Sequence, residues 1–246
     1  MDAAARQTHA AVMRAFILGL LLLGAACAQA TPAEPKTMAS LRWRAVIVAG
    51  DDSLPVWENA TARLASLLAD RATIRRFSDL NRAAEPAQPR AVMAAIASLR
   101  PAAGEGCLIY MTMHGAPEQG LVFAPARAVV TPALLDRALT QGCGEAPTVA
   151  ILSGCFTGIY ADALARPNRI IMMAARRDRP SFGCGAGEVF TVYDECLLKA
   201  FERGGAWAEV SRATTACVSL RERQLGVRPS EPPTIVGDRV TALLAR

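Results

Sequence analysis

The chain has 246 residues, 52% of them hydrophobic, with 27 lysines and arginines against 22 aspartates and glutamates and a net charge of +5. The basic excess is almost wholly arginine, because lysine occurs only at Lys36 and Lys199, and the arginines are scattered with few aromatic residues between them. That distribution argues against nucleic acid as a partner, which needs basic clusters interleaved with stacking rings, and no apolar run is long enough for stable insertion across a ~30 Å hydrocarbon core.

At the amino end, Arg14 precedes an apolar run from Ala15 to Ala26, and small residues follow up to Ala28-Gln29-Ala30. A basic start, a short apolar stretch and an A-x-A site describe a secretory signal, with cleavage expected after Ala30. Met13 would give that signal a more compact start than Met1. A competing reading makes Cys27 a lipidated amino terminus, but Gly24 stands where such a site normally carries leucine. The expected location is periplasmic or secreted. Residues 31–41, with Pro32 and Pro35, read as an exposed lead-in, and 42–246 as a single domain with a well-buried core.

Within that domain, apolar runs alternate with helical patterns, as parallel βαβ units do. Arg44 to Gly50 reads as a buried strand ending in a glycine turn. Glu58 to Ala69 follows as a helix, with Ala62, Leu64, Leu67 and Leu68 at helical spacing. Ala72 to Phe77 is a weaker strand suited to a sheet edge, and Pro89 to Leu99 a second helix. Cys107 to Met113 reads as a central strand running into His114-Gly115. Leu121 to Phe123 is a short strand or hairpin arm, and Thr131-Pro132 caps and starts a helix to Leu139. Thr148 to Leu152 is the next central strand and delivers Ser153-Gly154-Cys155. Arg169 to Ala175 is another strand, Glu188 to Phe201 and Ala206 to Arg223 are helices, and Pro229 to Pro233 opens a terminal segment. The pattern predicts an open, mostly parallel α/β sheet flanked by helices on both faces.

Two of these strands end in reactive groups, His114 and Cys155. One hairpin and one helix lie between them, enough for a right-handed crossover that makes the strands neighbours, and ligands gather at the carboxyl ends of strands in such sheets. A cysteine at a strand end is commonly buried and inert; a thiol and an imidazole brought to one cleft are a candidate nucleophile and general base. His114 is the one histidine after residue 30, so it has no rival as the base. Gly115 and Gly154 permit close approach of a substrate backbone, and the amides of Gly115 and Cys155 are candidates for an oxyanion hole. Asn59 or Asp51 is a candidate for orienting the imidazole. A serine hydrolase is disfavoured by the lack of G-x-S-x-G and by the order of residues.

Cysteine usage suits an oxidising compartment. With Cys155 free, Cys107, Cys143, Cys184, Cys196 and Cys217 allow at most two disulfides after residue 30. Cys107 and Cys143 precede the two strands that end in the reactive pair and are expected to bridge at the amino edge of the sheet. Pairing among Cys184, Cys196 and Cys217 stays open, including a bridge at the rim of the substrate pocket. Without a C-x-x-C pair, and with a single histidine, no metal is expected, and no cofactor is implied.

Tyr110-Met-Thr-Met-His114-Gly115-Ala-Pro-Glu-Gln-Gly-Leu-Val-Phe-Ala-Pro125 resembles the histidine segment of legumain-like asparaginyl endopeptidases, and Ile151-Leu-Ser153-Gly154-Cys155 resembles their strand running into the nucleophile. Trp43 to Gly50 is similar to their first strand, and Ala174 to Cys184, with Ser181, to the segment that lines their specificity pocket. The resemblance spans Arg42 to Phe201. It implies a caspase-like fold, a Cys155/His114 dyad and hydrolysis of a peptide or protein substrate through an acyl-thioester. Ser153 stands where the family has an acidic residue two before the nucleophile, Glu58-Asn59 where it has an Arg-His pair, and Asp194 where it has a later acidic residue. Glu58 and Asp194 without a basic partner would leave a negative pocket, so the residue preceding the cleaved bond (P1) is expected to be an amide such as Asn, or basic. Transpeptidation by the same acyl-enzyme and a non-catalytic exported binding domain are the alternatives. Oligomeric state is left open.

Overall fold

The computed structural model describes residues 41–244, so the expected signal, Cys27 included, and residues 31–40 of the expected lead-in lie outside the described residues, while Leu41, expected to be exposed, is buried in the core. Six strands form one sheet in the order β2-β1-β3-β7-β8-β9, and three more form a small antiparallel sheet, β4-β5-β6. In chain order the large sheet comprises β1 (Arg42–Ala49), β2 (Ala72–Phe77), β3 (Glu105–Thr112), β7 (Thr148–Ser153), β8 (Arg169–Met173) and β9 (Thr234–Val236). The small one comprises β4 (His114–Ala116), β5 (Gly120–Phe123) and β6 (Ala128–Val130). The first five strands of the large sheet pair in parallel and only β9 runs against its neighbour.

Alternation along the central strands assigns each residue to one of two cores. Ala45, Ile47, Leu108, Tyr110, Val149 and Ile151 face one side, where α1 (Val56–Leu68), α5 (Val192–Arg203) and α6 (Trp207–Leu225) cover them. Val46, Val48, Ile109, Met111, Ala150 and Leu152 face the other, covered by α2 (Pro89–Ala97), α3 (Pro132–Cys143) and α4 (Ala161–Leu164). Strands buried on both faces read as unbroken apolar runs, which is why β1, β3, β7 and β8 are plain in the sequence. Proline at the start of α2 and α3 costs no hydrogen bond, and the Thr131 side chain accepts from Leu134 N–H to cap α3.

One helix starts later than expected, and two expected segments take a definite form. The helix expected from Glu188 begins at Val192, because Thr191 is extended and accepts from Asp194 N–H as its cap; residues 183–191 form a loop held by the Asn59 side chain, which donates to the Val189 carbonyl at 3.0 Å. The hairpin arm at 121–123 is the middle strand of the small sheet. The terminal segment adds β9 and the helix α7 (Asp238–Leu244).

Disulfides join Cys107 to Cys143 and Cys196 to Cys217. The first links β3 to the end of α3, at the end of the strands remote from His114 and Cys155. The second links α5 to α6, and both its cysteines belong to the apolar cluster beneath those helices. It therefore does not rim a pocket, and Cys184 remains a thiol. Replacing Cys107 and Cys143 together by alanine removes a cross-link between residues 36 apart, worth about 4 kcal/mol through the entropy of the unfolded chain. The expected readout is a clear fall in the urea midpoint; an unchanged midpoint would contradict it.

Candidate active site

The large sheet has its switch point between β1 and β3: the chain leaves β1 for β2 on one side, then crosses to β3 on the other. Crevices at such points, outside the carboxyl ends of the strands, are where open α/β sheets hold ligands. β1 runs out into Gly50-Asp51, β3 into Met113-His114 and β7 into Gly154-Cys155. A small open pocket at this end is lined by Trp57, Met113, His114, Ser153, Gly154, Cys155, Ser181, Phe182, Cys184 and Thr191.

Backbone packing around the pair is close. Met113 N–H donates to the Ser153 carbonyl at 3.1 Å, carrying the ladder one step past the end of β3. A side-chain carbon at Gly154 would lie 2.6 Å from the Met113 carbonyl oxygen, and one at Gly115 would collide with the Cys155 carbonyl and sit 3.2 Å from the Cys155 amide nitrogen. Glycine is required at both positions because backbone meets backbone there. The Cys155 N–H donates to no carbonyl among the described residues, leaving it available beside Gly115.

After the nucleophile candidate the chain turns sharply. Phe156 adopts the left-handed region, φ 61° and ψ 14°, a conformation that costs a non-glycine residue free energy. Its neighbours over-determine it: Phe156 N–H donates to the Arg179 carbonyl at 2.9 Å, and the buried Thr157 hydroxyl bridges the Gly154 carbonyl and the Ala175 N–H, both at 3.2 Å. Tyr160, wholly buried, accepts from Leu121 N–H at 2.8 Å and donates to the Val130 carbonyl. It thereby fastens the small sheet, which begins at His114, to the turn that follows Cys155.

The Cys155 sulfur lies against the backbone of Ser181, 3.3 Å from its amide nitrogen and 3.5 Å from its carbonyl oxygen. Burial pushes the thiol pKa up, the Ser181 amide draws it down, and the Cys184 thiol adds to the rise. The net direction is upward, so Cys155 rests as a thiol and needs a base to become a nucleophile. The His114 side chain is 49% exposed, with Nε2 3.8 Å from Oδ2 of Asp51, whose side chain is 1% exposed. Asp51 is fixed by Ser53, whose N–H and hydroxyl donate to Oδ1 at 2.8 and 2.6 Å. The Trp57 indole packs edge to face on the imidazole, ring centres 4.9 Å apart.

The expected substrate residues divide. Ser153 and Ser181 line the pocket with His114 and Cys155. Asp194 is fully buried behind it: the Thr112 hydroxyl donates to Oδ2 at 2.7 Å, while Oδ1 has no hydrogen bond and the Tyr110 hydroxyl faces the group without an aligned one. Burial raises the Asp194 pKa, against the lowering effect of the hydroxyls of Tyr110, Ser153, Thr112 and Thr191 around it. Glu58 lies outside the pocket lining and has a basic partner, Arg76 at 3.2 Å, together with an Asn81 amide donating at 2.7 Å. The premise of an unpaired Glu58 therefore fails, because its carboxylate turns to β2. Asn59 holds Val189 and Asp51 is the group beside the imidazole. Phe182 and Cys184 fall in the segment that the sequence resemblance places at the pocket wall, whereas Trp57 and Thr191 are not anticipated by the sequence.

A parallel sheet with helices on both faces, bearing a free thiol and an imidazole over one pocket at its carboxyl edge, is the frame of a cysteine-type peptidase. Crystal Structure of Caspase-1 from Spodoptera frugiperda superposes with a TM-score of 0.59, covering 84% of this chain and 91% of that one at 11% identity, so the fold is caspase-like. Residues 93–215, half of the chain, match the Peptidase C13 family. The chain belongs to that legumain family and is a cysteine-type peptidase acting on peptides or proteins. No curated protein matches it. The family match includes His114, Cys155 and Asp194 but begins after Asp51 and Trp57.

Asp194 gives a pH prediction. A carboxyl whose folded pKa lies above its unfolded value of about 3.9 binds more protons folded than unfolded between the two values. Stability therefore falls as pH rises through that window and stays reduced above it. Asp194→Asn removes the penalty, so the variant should gain on the parent between pH 4 and pH 7. Urea midpoints of both proteins at the two pH values measure this, and an equal gap at both would contradict it.

Proposed function

We propose that the protein is an exported endopeptidase in which Cys155 attacks the scissile carbonyl and His114 acts as general base and then as general acid. The observation that carries this reading is that the unpaired Cys155 thiol and the His114 imidazole border one pocket at the ends of adjacent strands. His114 takes the thiol proton as the C–S bond forms, and the amides of Gly115 and Cys155 receive the developing oxyanion. Collapse of that intermediate passes the proton to the leaving amine and leaves an acyl-thioester. Water, deprotonated by His114, then releases the acid and regenerates the thiol. Asp51, with Oδ2 3.8 Å from Nε2, stands beside the ring in each half-reaction. Export is supported by the signal-like start of the sequence and by two disulfides, which are compatible with an extracellular or periplasmic location.

For P1 the pocket favours an amide over a cation. Ser153 and Thr191 offer neutral hydroxyls, Glu58 is spent on Arg76, and Asp194 is a buried carboxyl whose pKa is shifted toward the protonated form. A protonated or shared carboxyl suits an uncharged Asn side chain, which needs both donors and acceptors, better than Lys or Arg, which need a full anion. Profiling on a positional-scanning peptide library, with Cys155→Ala as control, should give Asn as the leading P1 residue and at least about a thousandfold loss in the control. Turnover retained by the alanine variant would remove Cys155 from its role. Cleavage only after acidic or large apolar residues would remove the pocket assignment.

A further inference from the structure

We infer that Trp57 is a positioning residue for the reaction: through a tilted ring-to-ring contact its indole holds the His114 ring in the orientation from which the imidazole serves Cys155. The inference rests on the Cys155/His114 reading above.

His114 sits at the mouth of the pocket with half its side chain in solvent. An exposed imidazole keeps rotational freedom that burial would remove, and a base must be aligned before proton transfer. Two groups are positioned to restrain it. Asp51 contributes charge but stands 3.8 Å from Nε2, beyond hydrogen-bond length. Trp57 makes packing contact across a ring, with centres 4.9 Å apart and planes at 69°, the edge-to-face geometry in which aromatic pairs attract. That contact is the more directional of the two.

The platform itself is rigid. Trp57 is 1% exposed and clusters with Ala49 and Val56, with Leu54 and Cys184 packed against it. It lies in the first turn of α1, which follows the carboxyl end of β1, so helix and sheet together fix the indole. Tight packing alone would be met by any large apolar residue; the tilted ring-to-ring contact that orients the imidazole needs an aromatic one.

The test compares Trp57→Phe, which keeps a ring, with Trp57→Leu, which keeps apolar bulk without one. Iodoacetamide alkylation of Cys155 at neutral pH is read by peptide mapping, and thermal midpoints are recorded for both variants. The expected result is about a tenfold slower reaction of Cys155 in Trp57→Leu and at most about a threefold change in Trp57→Phe. On the leading peptide substrate the leucine variant should lose kcat with little change in KM. Equal losses in both variants would reduce Trp57 to a packing residue and overturn the inference. His114→Ala separates the two levels: if it leaves Cys155 alkylation at the parental rate, the dyad reading itself fails, whereas if it slows alkylation and Trp57→Leu does not, only the role of Trp57 falls.

Discussion

From Cys107 opposite Thr148 to Thr112 opposite Ser153, β3 and β7 run in parallel register, and one further hydrogen bond carries Met113 onto the Ser153 carbonyl. The next residues on the two strands are His114 and Gly154-Cys155. Parallel pairing fixes their relative height, because the side-chain period is two and a slip of one residue would turn every apolar side chain of β3 to the wrong core. The two cores beneath, each filled from both strands, therefore hold the imidazole and the thiol at one edge. The glycines then set how closely the strand ends approach, since a Cβ at Gly115 or Gly154 would meet backbone.

Hydrogen-bond supply divides the site into two halves. On the β1 side, the buried Asp51 side chain accepts two hydrogen bonds from Ser53. On the α5 side, Asp194 is buried with a single firm donor to Oδ2 and none to Oδ1, so burial dominates and its pKa rises. Two aspartates at one end of one sheet thus differ in donor count. Asp51 stands beside the imidazole, and Asp194 stands behind the hydroxyls of Ser153 and Thr191 that line the pocket.

The central strands, the two-faced sheet and the pair His114/Cys155 were legible in the sequence because doubly buried strands produce continuous apolar runs whose ends can be read. The Cys107–Cys143 bridge was legible for the same reason, since strand order places both residues at the far edge. Less was legible where tertiary contact overrides local pattern. The periodicity from Glu188 suggested helix, but Thr191 offers a better cap and Asn59 captures Val189, so the loop persists to Thr191. Glu58 fell at the expected place in the chain yet turned to Arg76, because a side chain on the first turn of a helix can point to either flank and sequence spacing does not choose. The contribution of Trp57 depends on a ring-to-ring contact between residues 57 positions apart, which no local pattern encodes.

One wall of the pocket is held from a distance. Ser181, whose amide lies against the Cys155 sulfur, ends the segment that follows β8, and that segment is tied down by the loop after α6. Arg176 N–H donates to the Ser230 carbonyl, the Arg179 guanidinium donates to the Pro229 carbonyl, and both arginines pair with Glu231. Glu231 holds a left-handed φ of 52°, and Ser230 N–H donates to the buried Glu222 carboxylate of α6 at 3.0 Å. The Cys196–Cys217 bridge joins that same helix to α5, the element that carries Asp194. Position at the sulfur is thus passed through backbone hydrogen bonds and buried charge to a cross-linked helix pair, rather than left to an exposed loop. In the proposed Cys155/His114 mechanism a thiol whose pKa is raised gains reactivity only through a base that is already aligned, so rigidity in this wall and in the Trp57 platform opposite meets one requirement of that proposal: sulfur and imidazole must be in place before the substrate arrives.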